Sequence, residues 1–189
     1  MNKAAASKSK FIETIVGDKI RLRDKELSDA RNDYKWRTDP ELVQLDAASI
    51  LPFSFAQYLA AYATELRYPS SLKRDFAIET MDEGKHIGNC TYYDINETKG
   101  EAEIGIIIGD REYWNDSYGA DAVNTLVNYI FQHTNLKRIY LKTLDWNARA
   151  QKCFKKCGFS ECGHLVRDNF IFLLMEIPRG QWQERQREI

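Results

Sequence analysis

The residues of this chain best suited to chemistry stand together in WNDSYGADAV, Trp114 to Val123. Gly119 lies where a helix would begin. A helix N-terminus offers unpaired backbone N–H groups and about half a positive charge, which bind anions without a basic side chain. Gly119 would let a phosphate approach the backbone closely. The same stretch has a second reading, because Asn115, Asp116 and Ser117 are all good N-cap residues whose side chains could satisfy those donors. Local chemistry alone ranks the cap above the cradle.

Further along, Lys152, Lys155 and Lys156 form a row that could reach a phosphate or simply face solvent. Cys153, Cys157 and Cys162 lie close together with His164 nearby, and the first two share a helix face at i, i+4. Their spacing matches none of the usual paired-cysteine zinc patterns. The expectation is no metal, with these thiols and Cys90 kept reduced as small buried hydrophobes.

The elements that must position these groups alternate in type. FIETIVGDKIRLR reads as two short strands around Gly17 and Asp18. SDARNDYKWRTD and FAQYLAAYATEL read as helices, the second with Leu59, Ala60, Ala63 and Leu66 on one face. Between them PELVQLDAASILPFS could be a substrate wall or a plain connector. DFAIETM, HIGNCTYYDI and EAEIGIIIGD form an antiparallel meander, and Ile104 to Ile108 are apolar enough for a central strand covered on both faces. Ala122, Val123, Leu126, Val127, Ile130 and Phe131 make one helical stripe. RIYLKTL is a strand, NARAQKCFKKC a helix closed by Gly158 at a left-handed C-cap, and FIFLLMEI a final strand. The class is α/β (α+β), a mixed sheet with helices on both faces.

A chain of 189 residues is most simply one domain, read here as residues 11–178 between a disordered N-terminal extension, 1–10, and a polar C-terminal tail, 179–189. With 27 basic against 28 acidic side chains, the net charge of -1 gives no hint of a nucleic-acid partner. No apolar run spans a bilayer, and MNKAAASKSK has no apolar core behind its charges, which points to the cytoplasm.

The order of motifs reverses the local ranking of cap and cradle. EIGIIIGDREYW as a strand, NDSYGADAV as a loop into a helix, and WNARAQKCFKKCGF with Asn147 before a helix ending in Gly158-Phe159 together resemble the Gcn5-related N-acetyltransferases, or GNAT proteins. The similarity is greatest to the branch of ribosomal-protein-alanine and polyamine acetyltransferases, and it covers Lys19 to Ile177. It implies a mostly antiparallel sheet of about seven strands with one splayed parallel pair. It implies acetyl-CoA as cosubstrate, no metal, and direct attack on the thioester by a primary amine of a polyamine, amino sugar, other small molecule or protein N-terminus. A homodimer would also fit. The alternative is a silent relative that senses acyl-CoA.

By the same resemblance Ile107 and Ile108 supply the strand edge for the pantetheine arm. Asn115, Asp116, Ser117, Tyr118, Gly119 and Ala120 form the pyrophosphate nest. Asn147 holds the pantetheine amide region, and the helix carrying Phe154 packs against the thioester. Glu103 matches a position that some relatives use as a base, with Glu101 and Glu79 as alternatives. Two departures stand out. Ser117 replaces the first glycine of the turn, beside Asp116, whose charge about 7 Å from a pyrophosphate would cost roughly 0.6 kcal/mol in a water-like dielectric. Phe154 replaces the tyrosine that protonates the leaving thiolate in many members; Tyr92, Tyr93 or Tyr118 could substitute, or water could supply the proton to a thiol of pKa about 8.5. The acceptor would meet Tyr34, Trp36, Phe53, Phe55 and Tyr58.

Overall fold

The computed structural model describes residues 14–187, so the expected N-terminal extension lies outside the described residues. Gly17 and Asp18 turn the chain between β1 (Ile15–Val16) and β2 (Ile20–Asp24), with Ile15 opposite Leu22. The meander follows as β3 (Lys73–Thr80), β4 (His86–Asn96) and β5 (Glu101–Ile108). β6 (Arg138–Leu144), β7 (Ser160–Arg167) and β8 (Phe170–Pro178) complete an eight-stranded sheet in the order β1-β2-β3-β4-β5-β6-β8-β7.

The eighth strand is β7, which sequence reading passes over. Its burial is almost wholly exposed or half-exposed, because it is an edge strand, so SECGHLVR carries no apolar alternation to betray it.

Among the described residues six α-helices flank the sheet: α1 (Ala30–Arg37), α2 (Pro40–Leu45), α3 (Phe55–Arg67), α4 (Tyr118–His133), α5 (Ala148–Lys156) and α6 (Arg179–Arg187). α4 lies across one face, and all six residues of its expected stripe are buried. Each large apolar side chain so buried contributes roughly 1.5 to 3 kcal/mol. Around α1, whose Trp36 is buried, ion pairs add to the packing. Arg23 pairs with Asp29 at 2.8 Å and Lys25 with Asp33 at 2.7 Å, tying α1 and the turn before it to β2.

α3 turns a different face inward from the one its alanines suggest. Tyr62 is its buried residue, while Ala60 and Ala63 are exposed. Aromatic packing decides the rotation, since Tyr58 lies against both Tyr34 and Tyr62. α6 occupies the segment expected as a polar tail. Its Trp182 ring rests 5.2 Å from Phe131, and Arg179 donates to the carbonyls of Phe131 and Thr134, both at 2.7 Å, satisfying the orphan acceptors at the end of α4.

Among the described residues only β5 and β6 pair in parallel, and they do so over three positions, Glu101 with Arg138, Ala102 with Ile139 and Glu103 with Tyr140. Beyond Glu103 the two strands part. Ile106, Ile107 and Ile108 are consequently half-buried rather than covered on both faces, and their apolar run lines an opening instead of a core.

Candidate active site

The opening begins at the N-terminus of α4. Ser117 occupies the N-cap with φ 65° and makes no side-chain cap. Asn115 is left-handed too, at φ 63°. The first helical hydrogen bond runs from the Asp121 N–H to the Ser117 carbonyl at 2.9 Å, which leaves the N–H groups of Tyr118, Gly119 and Ala120 without helical partners. The residues expected to cap therefore do not. Asp116 pairs with Lys19 Nζ at 3.1 Å, which offsets its charge beside the helix start. A Cβ built on Gly119 meets only Ile108 at 3.6 Å and Cys153 at 3.8 Å, so it would project into the opening without disturbing the fold.

The open edge of β5 is set by two observations. The Ile107 carbonyl points back at β4, where a Cβ on Gly88 would lie 2.2 Å from it. The Ile108 carbonyl faces the other way and accepts from Trp114 Nε1 at 2.7 Å. Alternation then puts the polar groups of Ile106 on the same open edge as those of Ile108. Ile107 contributes to the wall, but the edge expected of it belongs to Ile106.

A groove of about 540 Å³ joins these parts. Ile106, Ile107 and Ile108 form one side, Asn115, Ser117, Gly119 and Ala120 another, and Asn147, Cys153 and Phe154 a third. Asn147 caps α5, its Oδ1 accepting from the Ala150 N–H at 3.2 Å. Lys152 and Lys156 line the rim, with Lys156 Nζ 3.2 Å from Ser117 Oγ, while Lys155 pairs instead with Glu161 at 2.7 Å. Tyr118 does not line it; its ring stacks edge-on to Tyr113.

A second cavity of about 160 Å³ continues from the groove into the gap between β5 and β6. Glu103 lies in its wall, 2% exposed. Its Oε1 accepts from the Tyr93 hydroxyl at 2.7 Å and its Oε2 from Lys142 Nζ at 2.6 Å. Burial and the bond to Glu103 push the Tyr93 phenol well above its ordinary range, so its proton is committed there. Tyr92 packs against the hydrophobic core. Glu101 pairs with Arg138 at 2.8 Å and Glu79 with both Arg21 and Arg23, and none of these lines either cavity.

The aromatics expected around an acceptor are elsewhere. Trp36 is buried against Gly109, where a Cβ would fall 2.1 Å from its ring, and Tyr34, Phe55 and Tyr58 pack on one another while Phe53 is exposed. From the segment left open as wall or connector, Leu42, Leu45 and Asp46 reach the groove, and Leu45 and Asp46 also reach the second cavity. Asp46, Lys142 and Trp114 are the residues that sequence reading missed. Cys90 and Cys157 are buried thiols as expected, but Cys153 borders the groove and Cys162 is exposed. Among the described residues no group of three His, Cys, Asp or Glu could hold a metal, and no helix is long and apolar enough to cross a membrane.

An acetyltransferase (GNAT) domain model matches residues 19–160. The chain belongs to the GNAT acetyltransferase family. N-acetyltransferase p20 of Bacillus licheniformis is 31% identical over 160 residues, 83% of this chain and 87% of that relative. Among solved structures, spermidine N-acetyltransferase from Vibrio cholerae in complex with CoA and spermine superposes with a TM-score of 0.77 at 24% identity, over 87% of this chain and 98% of that one. An aminoglycoside acetyltransferase in complex with coenzyme A gives 0.71 at 20% identity, over 88% and 99%. As a GNAT protein the chain is an acetyl-CoA-dependent N-acetyltransferase acting on amines.

Proposed function

We propose that this acetyltransferase holds acetyl-CoA along the groove and acetylates a small amine admitted through the second cavity. The observation that carries the reading is the uncapped start of α4, opening onto the place where β5 leaves β6. Donors at Tyr118, Gly119 and Ala120 would take the pyrophosphate, and Ile106 and Ile108 would pair with the pantetheine arm as an added strand does. Lys152 and Lys156 would meet the remaining phosphate. The fit is supported by the space beside Gly119, which a single Cβ would begin to fill.

Bound acetyl-CoA supplies an activated thioester, and the chain's own task is to orient it, exclude water and accept a proton from the amine. The acceptor is a primary amine of a polyamine, an amino sugar or a peptide N-terminus. Spermine and aminoglycosides as ligands of similar proteins support the small-molecule classes. Glu103 faces the acceptor cavity but gives both its oxygens to Tyr93 and Lys142, so it braces that cavity. Phe154 is buried against Phe159 and has no hydroxyl to protonate a leaving thiolate, so water is the donor there.

Calorimetry with acetyl-CoA, followed by thiol release with spermidine, ribostamycin and alanyl-alanine, tests the reading. Micromolar binding and amine-dependent release with one of the three are expected. Binding without release on any would turn the protein into a sensor, and no binding at hundreds of micromolar would remove the cofactor from the groove.

A further inference from the structure

The two cavities share a short neck formed by Leu45, Asp46, Ile106, Asn147, Ala150 and Phe154. Five of these cannot accept a proton near neutral pH. The sixth is a carboxylate, and its side chain makes no hydrogen bond or salt bridge to any described residue. Ala47 follows it with φ 49°, a left-handed turn directly after the end of α2. Asp46 thus stands where an acceptor amine entering from one cavity would meet a thioester lying in the other.

We propose that Asp46 receives the acceptor, holding its ammonium in the neck between the cavities and taking one proton from it before transfer. The inference rests on the acetyl-transfer reading above. Glu103 is the competing carboxylate, but it lines only the second cavity and its charge is already paired with Lys142, whereas Asp46 lines both cavities. The step balances simply. One N–H bond of the ammonium breaks, an O–H bond forms on Asp46, the nitrogen keeps the electron pair that attack requires, and Asp46 afterwards returns the proton to solvent. An alkylamine has a reference pKa of about 10.4, so almost all of it arrives protonated and needs such a site.

The surroundings suit that task. Charged and titratable groups surround the neck from several elements: Tyr93 on β4, the Glu103–Lys142 pair on β5 and β6 and Arg167 on β7 line the second cavity, Arg149 on α5 lines the groove, and Arg37 at the end of α1 acts on Asp46 through its charge. Lys142 is neutralised by Glu103, and Arg37 is the cation whose charge opposes protonation of Asp46. Asp46 keeps access to solvent, and partial desolvation of its carboxyl in the neck still pushes it above its ordinary value. A carboxylate raised above its ordinary value is a better proton acceptor than one left there.

The test uses the full chain with Asp46→Asn and Asp46→Glu, acetyl-CoA, and spermidine, ribostamycin and alanyl-alanine as acceptors. For whichever amine the native protein acetylates, Asp46→Asn should lower kcat/KM roughly 100-fold or more, while Asp46→Glu recovers at least a tenth of native activity. Acetyl-CoA affinity, measured by calorimetry, should survive in both variants. In Asp46→Asn, kcat/KM should climb about tenfold per pH unit from pH 6 to 9, following free amine alone, where the native profile flattens above its acid limb. Independently of turnover, carboxyl-detected NMR should show an aspartate titrating above the usual range near 3.9 that disappears in Asp46→Asn. Native-like kcat/KM in Asp46→Asn, loss of acetyl-CoA binding in parallel with activity, or an unchanged pH profile would overturn the proposal and leave acetyl transfer standing. A native protein that binds acetyl-CoA yet acetylates none of the three amines would overturn the acetyl-transfer reading, and this inference with it.

Discussion

Lys142 Nζ lies 2.6 Å from Glu103 Oε2, and this pair bridges β5 and β6 just where their parallel pairing stops. Glu103 is the last residue of β5 opposite a residue of β6, and Lys142 stands two positions past that partner, Tyr140. The charge pair therefore holds the mouth of the splay at a fixed width. It also explains how a carboxylate only 2% exposed is tolerated in the wall of a cavity.

Removing one member should show this. Lys142→Met leaves a buried carboxylate facing only the Tyr93 hydroxyl, and should cost about 3 kcal/mol of unfolding free energy in urea titrations. Adding Glu103→Gln in the same chain should restore more than half of that loss, because the uncompensated charge is gone. Additive losses in the double variant would contradict the coupling.

Gly119 separates cradle from cap. Gly119→Ala places a methyl group 3.6 Å from Ile108 and 3.8 Å from Cys153, ordinary contacts that cost the fold nothing. Alanine also favours the helix by up to about 1 kcal/mol. The variant should unfold no earlier than the native chain while binding acetyl-CoA roughly tenfold more weakly by calorimetry. Equal affinity would mean that no ligand approaches the start of α4.

The acid response of the fold should centre on His86. Burial pushes its imidazole below the ordinary value, helped by Lys25, although Asp29 and Asp33 pull the other way. With the folded pKa depressed, the unfolded chain takes up the proton first. Stability is thus complete above about pH 6.5 and falls as pH drops below it toward the folded pKa, with a limiting slope of about 1.4 kcal/mol per pH unit. Urea midpoints from pH 8 to 5 should show this decline, and His86→Asn should flatten it. Asp29 and Glu79, held below the carboxylate range despite burial by the Arg23 guanidinium, add a further loss only in more acid solution.

What could be read in the sequence follows from where each residue's environment is made. The stripe of α4 and the cap of α5 at Gly158, with φ 93°, are local patterns and appear as read. Ile106 to Ile108 misled because an apolar strand lining a ligand groove has the same composition as one inside a core. The direction of Asp116 depends on Lys19, 97 residues earlier, and no local rule contains it. Trp36 has the composition of a substrate-facing aromatic, but its ring lies on Gly109, 73 residues later, which no local pattern contains. Asp46 is hidden for the same kind of reason: its place between the two cavities depends on α2, β5 and α5 meeting beside it.

Asp121 ties the first hairpin to α4, whose start borders the groove. Its carboxylate accepts from the backbone N–H groups of Asp18 at 3.1 Å, Lys19 at 2.7 Å and Ile20 at 3.1 Å. Gly17 completes the contact, since a Cβ there would fall 2.8 Å from the same carboxylate. The carboxylate also lies in the first turn of α4, where the helix dipole favours it. Asp121→Ala strands three donors and should cost about 2 to 4 kcal/mol in urea unfolding. Lys19 also pairs with Asp116, so loosening the hairpin should free that carboxylate to swing toward the start of α4. Acetyl-CoA affinity should then fall, and more steeply at low salt than at high salt, because an unpaired charge acts over a longer range when screening is weak. A variant that loses stability but keeps native affinity at every salt concentration would show that Asp116 is held by the turn itself rather than by Lys19.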